Sequence, residues 1–255
     1  MIVGMCRLLA FASRTPVTLT ELLGEAELAE FAALSRKHSD GWGFAWAEHH
    51  GVQAYRSADP AHSSPEFARV SQEHRTDLGL AHVRWATLGL ANRLENTHPF
   101  TDGRIAMAHN GTVTPADSLD GLVPPDLLAL RRGTTDSERY ALAVMGAARR
   151  MDPADALGET VTTIADALDY TSVNAMLITD RELVAVSRFV PEAEAAEEEH
   201  EYYHLRYRLT PDAVIVASSG WGDGWETLDN GEMLVVQRST LDLDIRRVDH
   251  VAAAA

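Results

Sequence analysis

The sequence predicts an α+β fold in which two antiparallel sheets pack together with helices outside. Three observations carry this. Strand-like segments come first, an Ala- and Leu-rich helical block fills the middle, and strands close the chain. The two element types do not alternate strictly, which argues against a doubly wound parallel sheet. Finally, 255 residues with 45% hydrophobic and 24% charged side chains suffice for a sizeable core and do not suggest large-scale disorder.

Taken in order, Cys6 to Ser13 is a short apolar run that reads as a buried strand. Thr20 to Lys37 sets Leu22, Leu23, Ala26, Leu28, Phe31 and Leu34 at near-helical spacing, with Thr20 as the expected N-cap. Strands are expected at Gly43 to Ala47, Val52 to Ser57, Leu78 to Ala86 and Arg104 to His109. The helical block comprises Pro124 to Arg131, Asp136 to Met151 and Pro153 to Leu168. Strands return at Asn174 to Thr179, Leu183 to Arg188, Tyr202 to Leu209, Ala213 to Ser218, Met233 to Gln237 and Asp242 to Val248. The acidic run Glu192 to Glu201 is expected to be a solvated loop, and residues 251–255 a disordered tail. With no repeat or linker, residues 6–250 are expected to form one domain.

The formal charge of −16 argues against a nucleic-acid partner, which needs a basic surface, and against docking on anionic membranes. No apolar run reaches the ~18 residues of a membrane span. The first residues charge too quickly for a signal peptide, so the expected compartment is the cytoplasm. One cysteine excludes an internal disulfide and a four-thiolate metal site, and the eleven histidines show no metal-ligand spacing. Neither metal nor cofactor is expected.

Several residues could carry chemistry. A lone cysteine is commonly a small core hydrophobe, but Cys6 follows Met5 directly. A chain beginning at Cys6 would set an α-amine of pKa ~7.7–8.0 beside a thiol of pKa ~8.5, nucleophile and base on one residue. Arg84, in Ala81-His82-Val83-Arg84-Trp85-Ala86-Thr87-Leu88-Gly89, suits either a structural salt bridge or bidentate capture of a carboxylate. Asn110-Gly111 suits a hairpin turn, and equally a side-chain amide and a backbone N–H aimed at an oxyanion. Thr134-Thr135-Asp136-Ser137-Glu138 opens a helix, with Thr135 or Asp136 capping; Asp136 could face a substrate ammonium while Thr135 caps.

As a set, MCRLLAF, HVRWATLG, NTHPF, AHNG and TDSE occur in an order that resembles the glutaminase domain of class II glutamine amidotransferases, which are N-terminal-nucleophile hydrolases. The motifs run from Met5 to Glu138, and the SDGWGF and VIVASSGW segments look most like stand-alone members, including small bacterial amidotransferases and γ-glutamyl hydrolases of ergothioneine or glutathione metabolism. The resemblance implies a four-layer αββα sandwich. It implies Cys6 as nucleophile with its own α-amine as proton relay, and Asn110 with the Gly111 N–H as oxyanion hole. It further implies Arg84 on the glutamyl α-carboxylate, Asp136 on its α-ammonium, and Trp85 with His98 lining or gating the pocket. The mature chain is then expected to begin at Cys6, without residues 1–5.

The substrate expected is glutamine or a γ-glutamyl compound. Two readings share this chemistry: a glutaminase feeding ammonia to a separate synthase subunit, and a free-standing hydrolase of a γ-glutamyl metabolite. A third is a catalytically silent binding protein of the same fold. A homo-oligomer is compatible with each. Ser218, Ser219, Trp221 and Trp225 are candidates for the pocket mouth that selects the leaving amine.

Overall fold

The computed structural model describes residues 7–36, 40–84, 93–195, 201–219 and 222–248. Its strands are β1 (Arg7–Val17), β2 (Trp42–Glu48), β3 (Gly51–Ser57), β4 (Thr76–Val83), β5 (Phe100–Thr101), β6 (Ala106–Thr114), β7 (Asp169–Ile178), β8 (Glu182–Ser187), β9 (Leu205–Leu209), β10 (Ala213–Ala217), β11 (Glu226–Leu228), β12 (Glu232–Gln237) and β13 (Leu243–Arg247). The helices are α1 (Leu19–Ala33), α2 (Pro65–Glu73), α3 (Pro125–Leu128), α4 (Asp136–Ala147), α5 (Pro153–Ala167) and α6 (Pro191–Ala195). No helix among the described residues is long and apolar enough to cross a membrane.

The strands form two antiparallel sheets. One has the order β11-β9-β10-β1-β4-β2-β3 and the other β13-β12-β8-β7-β6-β5. Strand alternation gives each sheet two apolar faces. Leu9, Phe11, Trp42, Phe44 and Ile215 on the outer face of the first sheet meet Leu19, Leu23, Phe31, Phe67 and Val70 from α1 and α2. The outer face of the second sheet, with Met107, Val173, Leu177 and Val186, meets Tyr140, Val144, Leu157 and Ile164 from α4 and α5. Between the sheets lies a third apolar layer in which Leu8, Leu78, Leu80, Met176 and Leu234 mix with Ala10, Ala12, Ala45, Ala47, Ala106, Ala108 and Ala185. The order of layers is therefore helix, sheet, sheet, helix, as expected.

Local departures have local causes. α1 begins earlier than its apolar spacing suggests, because the N-cap is Thr18 and not Thr20. Thr18 Oγ1 accepts from Glu21 N, and Glu21 accepts from Thr18 N at 2.9 Å, while Thr20 donates its hydroxyl to Ser71 O. α2 was not anticipated, although Ser64 caps it and Pro65 stands at its first turn. The helix expected over 124–131 contracts to α3, and the Asn110-Gly111 pair lies inside β6 instead of ending it. Residues 1–6 and 249–255 and much of the acidic run (196–200) lie outside the described residues.

Candidate active site

At one end of the inter-sheet layer the apolar series of each central strand passes into polar residues of the same parity. On β4, Leu78 and Leu80 lead to His82 and, just past the strand, Arg84; on β10, Val214 and Val216 lead to Ser218. On β6, Ala106 and Ala108 lead to Asn110; Asn174 occupies the matching place on β7 and Ser187 on β8. All six are buried. Leu8 pairs with His82 and donates its N–H to Ser218 Oγ at 2.9 Å, while Asn110 pairs with Asn174. His98 ties the rows together: its ring lies 4.2 Å from that of His82, and its Nδ1 accepts from His109 N at 3.4 Å. Buried polar groups are costly, so their collection at one end of an otherwise apolar layer marks a binding site.

Asn110 is fully buried, yet neither Nδ2 nor Oδ1 has a hydrogen-bond partner among the described residues. Native proteins rarely leave such an amide unmet, and a catalytic role is one of the recognised reasons. Gly111 follows with φ 151°, and a Cβ there would collide with the Ser172 carbonyl oxygen. The β6–β7 register slips between Gly111 and Val113, where β7 carries one residue more than β6, so Gly111 faces a bulge, a common device for re-aiming backbone groups. His109 buttresses it. Nε2 lies 3.0 Å from Ser172 O and must donate to it, which leaves Nδ1 to accept from Ser137 Oγ at 3.0 Å. Burial lowers the pKa of His109 against the opposing pull of Asp136 and the Ser172 carbonyl.

Asp136 is the first residue of α4, and Thr135 caps the helix by accepting from Glu138 N at 3.2 Å. Asp136 Oδ2 accepts from Val113 N at 2.8 Å, immediately past the bulge. A carboxylate at a helix N-terminus is further favoured by the helix dipole. Arg84 is buried at the end of β4. Its N–H donates to Gly41 O at 2.8 Å and its Nη1 to Asp40 O at 3.3 Å, which anchors it to the Asp40-Gly41 turn. His98 is held neutral: burial foremost, then His82, His109, Arg84 and Arg56, push its pKa well below the ordinary value. Its proton therefore sits on Nε2, since Nδ1 accepts.

A family model for class II glutamine amidotransferases matches residues 5–253, nearly the whole chain. The chain belongs to this family. Among its relatives, the gamma-glutamyl-hercynylcysteine sulfoxide hydrolase of Mycolicibacterium smegmatis is 26% identical over 91% of this chain and 96% of its own. Among solved structures, a glutamine aminotransferase class-II domain protein from Silicibacter pomeroyi superposes with TM-score 0.66 at 22% identity, covering 95% of this chain and 99% of its own. The glutamine phosphoribosylpyrophosphate amidotransferase of B. subtilis superposes with TM-score 0.64 at 17% identity, and this chain spans 49% of it. The protein is thus an enzyme of the class II amidotransferase family with the N-terminal-nucleophile fold.

Of the residues expected to serve this amidotransferase site, Arg84, His98, Asn110, Gly111 and Asp136 come together through the contacts above. Cys6, Trp85 and Trp221 lie outside the described residues. Ser218 joins the polar row, but Trp225 packs with the helix-covered core of the first sheet and under Arg208, whose Cζ is 4.7 Å from its ring centroid. Sequence reasoning gave no role to His82, Asn174 or Ser187. The signal for them was available: each continues, in steps of two, an apolar series that faces the other sheet.

Proposed function

We propose that this enzyme hydrolyses the γ-amide of a γ-glutamyl compound through a cysteinyl thioester. Cys6 supplies the thiolate and its α-amine the base. Cys6 shares sequence parity with Leu8, Ala10 and Ala12, the residues of β1 that face the second sheet. Sγ bonds to the amide carbon, and the thiol proton passes through the α-amine to the leaving nitrogen as the C–N bond breaks. Water then cleaves the thioester, releasing glutamate and returning the proton to sulfur. Asn110 Nδ2 and the Gly111 N–H would hold the oxyanion in both steps. Arg84 would take the α-carboxylate and Asp136 the α-ammonium, while neutral His98 and Trp85 would line or gate the pocket.

The observation that carries this reading is Asn110, buried and without a hydrogen-bond partner among the described residues, one residue before Gly111 at the β6–β7 register slip. The match to the hydrolase of M. smegmatis along nearly its full length favours a free-standing γ-glutamyl hydrolase. A glutaminase working with a separate synthase is the second reading. Steady-state assays separate them: glutamate released from γ-glutamyl conjugates but not from glutamine supports the first, and ammonia from glutamine supports the second. Both activities must vanish in Cys6→Ala. Intact mass of active protein from its host tests the base, because an active chain that retains residues 1–5 rules out an α-amine on Cys6.

A further inference from the structure

We propose that Glu138 is a positioning residue for substrate selectivity: it holds the turn that presents Asp136, and so sets the preference for ligands with an α-ammonium group. This rests on the assignment of Asp136 above.

The chain supplies its own comparison. Thr18-x-x-Glu21 and Thr135-x-x-Glu138 share one pattern at the starts of α1 and α4. In the first, Glu21 returns to the N-cap N–H, the ordinary capping box. In the second, the Thr135 hydroxyl does its part, but the carboxylate passes the N-cap and reaches further back. Glu138 Oε1 accepts from Arg132 N at 2.8 Å and Oε2 from Gly133 N at 2.7 Å. Glu138 is buried, so both bonds form away from water. The same carboxylate that would secure a helix end is spent on the turn before it.

The rest of that turn is fixed with equal thoroughness. Thr134 N donates to Asn96 Oδ1 at 3.0 Å, and Arg139 Nη1 donates to the carbonyls of Thr134 and Thr135, each at 3.2 Å. Gly133 has no slack, since a Cβ there would strike Asn96 Oδ1 and crowd Glu95 O and Glu138 Oε2. Asp136 follows directly, pinned on its other side by Val113 N. Charge-assisted bonds to two successive N–H groups are strong and directional, and helix stability does not require them. Their consequence is a carboxylate at position 136 with its backbone fixed from before and its side chain from beside.

The test is calorimetric titration of the full chain with L-glutamate and with glutarate, which lacks only the α-ammonium. Wild type is expected to prefer glutamate, and Asp136→Asn to lose that preference. Glu138→Gln keeps the shape but sets an NH2 against a backbone N–H. It is expected to weaken glutamate binding on the order of 10- to 100-fold, while glutarate binding changes by less than about twofold. A parallel loss for both ligands, or for neither, overturns the inference. Absence of a glutamate preference in wild type, or its survival in Asp136→Asn, overturns the assignment of Asp136 and this inference with it. Should Glu138→Gln not fold, Asn96→Ala, which removes the acceptor of the Thr134 N–H, must give the same selective loss.

Discussion

Asn110→Ala should separate stability from activity. In most buried positions, deleting an amide removes hydrogen bonds and destabilises. Here Nδ2 and Oδ1 have no partner among the described residues although the residue is fully buried, so wild type bears a desolvation penalty of about 1–3 kcal/mol. Alanine relieves it and leaves a small void, which offsets part of the gain. The net change is expected between zero and about +2 kcal/mol, a rise of up to roughly 8 °C in Tm for a chain of this size. Activity should move the other way. Loss of one oxyanion donor costs ~3–4 kcal/mol, a fall in kcat on the order of 100- to 1000-fold with little change in KM. Differential scanning calorimetry and steady-state kinetics on the same preparation test both. A variant that melts several degrees lower and retains its kcat would refute the reasoning, for Asn110 would then be an ordinary core residue.

Gly111→Ala should lose both properties together, since its methyl group meets the Ser172 carbonyl: about 1–3 kcal/mol of stability by calorimetry, and a large part of kcat as the bulge shifts. Arg84→Lys keeps the charge but not the planar fork, so KM should rise at least tenfold with a smaller change in kcat. Acidification should destabilise the protein through His98, whose pKa is depressed in the folded state. As pH falls through the unfolded value near 6.5, the unfolded chain gains a proton that the folded one refuses. Melting curves of His98→Gln should therefore lose less stability than wild type between pH 7.5 and 5.5. Glu182 carries the opposite sign. Burial, then Asp152, raises its pKa, so its folded form costs stability once pH exceeds the unfolded value, and Glu182→Gln should melt higher than wild type at pH 7.5.

Much of this architecture was legible in the sequence because its strands are long alternating or apolar runs and its central helices carry clear periodicity. β1, β4 and α5 needed nothing beyond that. Short-range signals were harder. α1 could be started at Thr20 or Thr18, and only the reciprocal bonds with Glu21 decide for Thr18. Asn110-Gly111 has the composition of a hairpin turn, but β7 pairs alongside and carries β6 through it. That pairing joins residues some sixty positions apart, and no local window contains it. Arg84, Asn110 and Asp136 were legible as a group through their resemblance to a family. The partners that hold them are not, because Val113 N, Asp40 O and Gly41 O are backbone atoms, on which side-chain identity has little bearing.

The alanines between the sheets act as a caliper. Ala10, Ala12, Ala45, Ala106, Ala108 and Ala185 let two backbones approach closely, and the jaws they hold are Arg84 on one sheet and Asn110 on the other. The length of substrate that would fit between Arg84 and Asn110 in the proposed mechanism is thus gauged by the whole layer, down to its far end at Ala12. Two added methyl groups deep in that layer, as in Ala12→Val, would open the jaws and should shift acceptance from glutamyl amides toward chains one carbon longer before the protein unfolds.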